Sequence, residues 1–547
     1  MPFSGNYGIL ITETEKEMVL MKKLLCMALC LALLSGCAAP AAPTTEPQAN
    51  EVQITLSDGG VEFPADCGVH TANDIVYYEA GHDETYGEGD ESEAHTPEEA
   101  AAHTVVHITQ PGTYRISGKL SAGQIAVDLG EDAAGNHKKV VTLILDNADI
   151  TCRVAPAVIF YNVYECGNPD DPQADVDTAP AGANVILAPG SINNIVGSHV
   201  AKIYKPETVI DGNTDDAKKL HKYDAAFYSR MSMNIGGEGC LNITADNEGL
   251  DSELHLTING GEIYIESGND GINTNEDGVS VTTINGGKLT IHVTGETGEG
   301  DGIDSNGWLV INGGEVRASA CAISGDAGID SDMGIQINGG TVCATGNMLD
   351  RIDEGGQTHA VFTFAQRQEP GTYTLKNAQG DVVIEYAASN AFQYLILSAP
   401  ELTEGTYTLW SGDIQYEGIS IPGGGFGLIQ PIERPEFPGK GDDGRVEIPP
   451  QPTQPIVTHG TVQPPPGGDR PADMPVAQFP QGSEGQMPVP PMPPEGENMP
   501  MPQLPEGVEP SKDGFDRQPI QVVTGVCSTD FPVTEGANYF MNVRAVS

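Results

Sequence analysis

The segments INGGEIYI (258–265), INGGKLTI (284–291), INGGEVRA (311–318) and INGGTVCA (337–344) begin 26, 27 and 26 residues apart, and IGGEGCLNI (235–243) is an incomplete earlier copy. A period of this size with one strand–turn unit per repeat is the signature of a solenoid. Apolar residues alternate with period two rather than 3.6, which excludes helical solenoids. A leucine-rich repeat lacks its fixed leucines and its helical half here. Calcium-binding nonapeptides would need glycine and aspartate every nine residues. A parallel β-helix remains.

That fold accounts for the residue choices. Stacked at roughly 4.8 Å, equivalent positions form ladders. Ile258, Ile284, Ile311 and Ile337 are expected inside, continued by Ile263, Leu289, Val316 and Val342. Asn259, Asn285, Asn312 and Asn338 form a ladder whose amides satisfy one another. The paired glycines supply left-handed backbone at a sharp corner. Glu262 and Tyr264, Lys288 and Thr290, and Glu315 and Arg317 are expected to face solvent.

A second motif recurs in step. EGLDSE (248–253), DGINTN (270–275), DGIDSN (301–306) and AGIDSD (327–332) share one pattern, with TGETGEG (294–300) inserted before the third copy. Stacking gathers Glu248, Asp251, Asp270, Asn273, Asp301, Asp304, Asp326 and Asp330. Two bare carboxylates about 5 Å apart repel by a few kcal/mol at an effective dielectric near 20. A hard divalent cation removes that penalty, and calcium takes six to eight oxygens. Any single Asp-Gly reads as turn chemistry. Four aligned copies favour calcium, with these eight residues as its candidate ligands.

Bulk composition agrees. The 547 residues carry 77 acidic against 26 basic side chains, a formal charge of −51. Nucleic-acid phosphates and anionic lipid headgroups would be repelled, and cations attracted. Sixty-seven glycines suit turn-rich β structure. Residues 1–20 lack targeting character, so translation is expected to start at Met21. Residues 21–36 read as a signal peptide: Lys22 and Lys23, then an apolar stretch too short to span a membrane. LSGC (34–37) resembles a bacterial lipobox, making Cys37 the lipidation site and the cell membrane the address. Beyond it remain Cys67, Cys152, Cys166, Cys240, Cys321, Cys343 and Cys527, an odd and scattered set that makes a poor disulfide framework. Cys321 and Cys343 are expected as small side chains between stacked strands.

The domain plan is then a tether and acidic spacer (37–104), the parallel β-helix (105–356) and a small antiparallel β module (357–428). A Pro/Gly/Met-rich disordered tail (429–519) follows, suited to spacing or cell-wall contact. The closing segment (520–547) has no assigned role. More than half of the 40 prolines fall in the tail.

PGTYRISG (111–118), GQIAV (123–127), VTLILDN (141–147), AAFYSR (225–230) and the INGG and DGID units occur in an order that resembles the clostridial-type carbohydrate-binding domain with a pectate-lyase-like right-handed β-helix, found in secreted lipoproteins. The resemblance covers roughly residues 105–350. It implies binding of cellulose-like and polygalacturonate-like glycans, bound calcium and no established catalytic role. This chain departs from it by an insertion at 166–183, by Ala327 in place of an acid and by the Pro-rich tail.

A protein this acidic should repel uronate polymers unless calcium bridges them. Neutral glucans would need aromatic platforms. Trp308 is the first candidate for stacking and Tyr264 the second, with Arg317 beside them, although Trp308 equally suits a corner packed on its neighbour. Two rival readings stand. In a calcium-dependent polysaccharide lyase, Arg230, Lys288 or Arg317 would act as base. In a structural stalk or adhesin, the repeats would serve only as a spacer.

Overall fold

The computed structural model describes residues 51–73, 101–168, 172–200, 223–421 and 526–546. All 31 elements named among them are β-strands, arranged in one 23-stranded and one 8-stranded sheet. Cys37, the signal segment and the Pro-rich tail lie outside the described residues.

The INGG units organise the larger sheet. The strands His255–Ile258, Val281–Ile284, Trp308–Ile311 and Gly334–Ile337 pair in parallel, so that Ile258 faces Ile284, Ile284 faces Ile311, and Ile311 faces Ile337. After each NGG corner comes a second strand: Glu262–Ser267, Lys288–Val293, Glu315–Ser319 and Thr341–Gly346. These too are parallel, with Ile263, Leu289, Val316 and Val342 in register. We call the strands contributed by one repeat a rung. The eight aliphatic side chains are at most 2% exposed. Each contributes about 1.5–3 kcal/mol of burial. Glu262 and Tyr264, Lys288 and Thr290, and Glu315 and Arg317 point the other way, as expected from the alternation.

The corners work through asparagine and glycine. Asn285 Nδ2 donates to Asn259 Oδ1, Asn312 Nδ2 to Asn285 Oδ1, and Asn338 Nδ2 to Asn312 Oδ1, each at 2.9 Å. The second glycine of each NGG holds positive φ: 96° at Gly261, 86° at Gly287, 80° at Gly314 and 83° at Gly340. A Cβ on Gly314 would also lie 2.7 Å from the Gly287 carbonyl oxygen. Any side chain there both strains the backbone and wedges the rungs apart.

The 8-stranded sheet carries the DGID units. Glu248–Ser252, Ile272–Thr274 and Ile303–Ser305 stack in parallel beside Ala225–Ser229 and Val158–Asn162. Leu250, Ile272 and Ile303 fill the interior from this side.

Two boundaries differ from the sequence reading. The expected tether contains Glu51–Leu56, which pairs in parallel with Gly112–Leu120 and buries Ile54 and Leu56. It also contains Val69–Ala72, antiparallel to Thr104–Ile108. The alternating EVQITL is a strand pattern that its acidic surroundings obscured. The closing segment is structural as well. Phe531–Val533 pairs with Gly405–Ser411, and Ala537–Ala545 lies between His359–Gln368 and Ile414–Ile421. Its Phe531 and Phe540 pack on Phe362 within the module's own aromatic core. This module caps the stack, because Phe392–Ser398 pairs antiparallel with the last repeat strand, Thr341–Gly346. An otherwise open edge is thereby covered. The seven cysteines in the described residues are all free, and Cys321 and Cys343 are fully buried.

Gly314→Ala should therefore lower stability by about 1–3 kcal/mol in urea unfolding. Gly325→Ala, where the added methyl meets open space, should leave the midpoint unchanged.

Candidate functional site

Strict register dictates where the acids go. On the DGID ladder Asp251 pairs with Asn273 and Asn273 with Asp304, and the Asp330 N–H donates to the Ile303 carbonyl one rung on. Three residues earlier in each unit, Glu248, Asp270 and Asp301 form a parallel row, since the Gly249 N–H donates to Asp270 O and the Gly271 N–H to Asp301 O. Asp326 joins beside Ala327, accepting from the Gly300 N–H at 2.6 Å. All eight acids and amides singled out from the sequence thus lie along one strip.

The strip is buried at its Glu248 end and half-buried from Asp301 to Asp330. Asp251 is fully enclosed, and Glu248, Asp270 and Asn273 are at most 8% exposed. Asp224, unremarked in the sequence, completes the densest part: Asp224, Glu248 and Asp251 present carboxylate oxygens that all lie within 4.8 Å of one another. Asp224 sits in YDAAFYS (223–229), a degenerate copy of the unit. Its acid directly precedes the strand, and its glycine is replaced. The register sets Ala225, not Asp224, opposite Glu248, so no shared motif position marked this acid.

Fixed donors hold part of this charge. Asn275 Nδ2 donates to both oxygens of Asp251 at 2.9 Å, Asn273 Nδ2 to Glu248 Oε1 at 3.1 Å, and the Asp301 N–H to Asp270 Oδ1 at 2.6 Å. They are too few. Burial, then Glu248 and Asp224, hold the Asp251 carboxyl well above the ordinary carboxylate range. Burial and Asp304 do the same to Asp270, and burial with Asp270 and Asp330 to Asp301. Asp330 is pushed up to about 8 by burial and then by Asp350. The carbonyl Oδ1 of Asn273 is buried with no hydrogen-bond partner. Its amide already touches Glu248, so an unused oxygen sits among the carboxylates. An all-oxygen donor set with an orphaned carbonyl fits a hard divalent cation such as calcium better than zinc.

The stacking and base candidates lie elsewhere. Tyr264 is 39% exposed on the outer face of Glu262–Ser267. Trp308 opens a strand on the other ladder, in register with Val281 and Gly334, so the two rings do not form one platform. Arg317 donates Nη1 to the Glu385 carbonyl at 3.0 Å and pairs with Glu315. Lys288 pairs with Glu262 at 3.3 Å. The Arg230 guanidinium lies 4.7 Å over the Tyr161 ring.

The sequence profile of the carbohydrate-binding domain-containing protein family matches residues 102–166 and 185–393, just over half of the chain. The chain belongs to this family. The unmatched stretch between the two segments coincides with the insertion noted above, and both the acidic strip and Tyr264 fall inside the matched region. A carbohydrate-binding domain-containing protein of Acetivibrio thermocellus is 28% identical over 163 residues, which is 30% of this chain and 45% of the relative. The alignment thus spans less than half of that relative's length. A solved structure of the polysaccharide lyase-like protein from C. thermocellum, a gadolinium derivative, is similar over 55% of this chain and 89% of its own, at 20% identity and a TM-score of 0.32.

The strip sets a pH dependence for the metal-free protein. Buried carboxyls keep protons that the unfolded chain releases above about pH 4, so their stabilisation is complete below that pH and declines as pH rises, the Asp330 share being lost through about pH 8. In chelator, the melting temperature should fall between about pH 5 and pH 8. Asp330→Asn should flatten that fall, as differential scanning calorimetry would show.

Proposed function

We propose that this carbohydrate-binding domain protein is a non-catalytic, cell-surface polysaccharide binder, built on a right-handed parallel β-helix whose acidic strip holds calcium. The observation that carries the calcium reading is the sealed Asp224–Glu248–Asp251 group with the unpartnered Asn273 carbonyl beside it. Unpaired buried charge costs several kcal/mol per ion, and a divalent cation offsets that cost. A cation enclosed there works as an internal clamp between rungs. Its burial argues against the ion reaching out to a uronate polymer from this end of the strip.

Cellulose-like and polygalacturonate-like chains are its proposed ligand classes. Membrane attachment through lipidated Cys37, and cell-wall contact through the Pro-rich tail, complete the proposal. The absence of catalysis is supported by the three candidate bases. Arg230 is stacked on Tyr161, while Lys288 and Arg317 are engaged with glutamates.

Pull-down on insoluble polysaccharide tests binding, and ultraviolet absorbance on pectate tests for unsaturated lyase products. Retention without absorbance is expected; product formation would favour the lyase. Calcium at about one hundred times Kd should stabilise the protein by about 2.7 kcal/mol. Asp224→Asn with Asp251→Asn should abolish that gain while melting in chelator no lower than wild type, because neutral amides remove the burial penalty. Cys37→Ala should release the protein from membranes in a fractionation assay.

A further inference from the structure

On the outer face of the larger sheet, register aligns Asn194, Asn242, Tyr264, Thr290 and Arg317 in one row across five rungs. Thr244, Glu266 and His292 form the next outward row. The residues of these rows are linked to one another. Asn242 Nδ2 donates to Asn194 Oδ1 at 2.9 Å, and the Tyr264 hydroxyl to Glu266 Oε2 at 3.4 Å. His292 Nδ1 lies 3.7 Å from Glu266, and its Nε2 lies 3.1 Å from Asn390 Oδ1 of the capping module. Asn390 Nδ2 in turn donates to the Val293 and Ala320 carbonyls at 2.7 Å, which fixes that end of the face.

Beside the second row a groove of about 280 Å³ opens, lined among others by Arg153, Ser198, Asp246, Glu266, Thr294 and Glu296. Thr294 and Glu296 come from the TGETGEG insertion. The groove offers carboxylate acceptors and hydroxyls to a ligand rich in hydroxyl groups, with Tyr264 as an exposed ring alongside. Three carboxylates against one guanidinium disfavour an anionic chain.

We infer that this face binds a neutral glycan chain lying along the stacking direction, one sugar per rung, with Tyr264 as its aromatic platform and the Glu266 groove seating sugar hydroxyls at its side. The inference rests on the carbohydrate-binding reading and narrows it. The rung spacing of roughly 4.8 Å is close to the advance of one pyranose in an extended chain. Successive sugars therefore advance nearly in step with successive rungs, each beside a polar residue of the row. Ring stacking and side-chain hydrogen bonds of this kind need no cation.

The test is titration calorimetry on the calcium-loaded full chain with β-1,4-linked gluco-oligosaccharides of increasing length and with oligogalacturonides. Affinity for the neutral series should rise up to about five sugars, one per rung of the row, and exceed that for the uronates. Tyr264→Ala should weaken neutral-glycan binding about tenfold, while Tyr264→Phe, which keeps the ring, restores most of it. Glu266→Gln with Glu296→Gln should raise oligogalacturonide binding. An unchanged calcium-dependent melting curve shows that each variant is folded. If Tyr264→Ala binds as wild type while Trp308→Ala does not, the face is wrong but the carbohydrate reading stands. Preference of the wild type for uronates overturns the neutral assignment. Failure of the wild type to bind any polysaccharide overturns both readings.

Discussion

Parallel strands in strict register oblige every side chain to sit one rung from its own kind. The rest of the structure follows from what each residue type does under that constraint. Ile258, Ile284, Ile311 and Ile337 gain from it, since identical aliphatic chains pack without polar atoms. Asn259, Asn285, Asn312 and Asn338 gain too, because an amide is donor and acceptor at once and passes one hydrogen bond along the row. Gly261, Gly287, Gly314 and Gly340 are demanded by it, as their neighbours leave no room for a Cβ. Carboxylates alone lose. Stacked acids repel, and at the Asp224–Glu248–Asp251 end the repulsion is sealed from water, where it is strongest. A chain that nevertheless repeats its acids at these positions needs protons or a cation there.

Two outer surfaces divide the work. The acidic strip runs along the 8-stranded sheet and is closed at the Asp224–Glu248–Asp251 end. The face carrying Tyr264 belongs to the larger sheet and is open. In the proposed reading, calcium holds rungs together and glycan recognition falls to side chains that need no metal. Net charge supports this separation, because a strongly acidic surface favours neutral ligands over uronates.

Much of this was legible in the sequence where periodicity was complete. The aliphatic and asparagine ladders and the outward residues follow from spacings of 26 and 27 residues, and the strip of eight acids and amides from a motif repeated at intervals of 22, 31 and 26 residues. Legibility failed where a repeat was degenerate or its partner was distant. Asp224 lies in a copy that lost its glycine, so no motif flagged it. Glu51–Leu56 is a good strand pattern set in tether-like composition. The closing strand Ala537–Ala545 is separated in sequence from its partner His359–Gln368 by the whole Pro-rich tail. Arg317 was a candidate base in the sequence, and its partner, the Glu385 carbonyl, is a backbone atom on another element. Local spacing carries no information about such pairings.

The central claim is that stacking forces carboxylates together until a cation relieves them. Calcium titration calorimetry in buffers of different ionisation enthalpy tests it most directly. The account predicts protons released as calcium binds, because the metal displaces protons that burial had retained on Asp251 and its neighbours. Calcium binding with the same heat in every buffer, or no calcium binding, would contradict it.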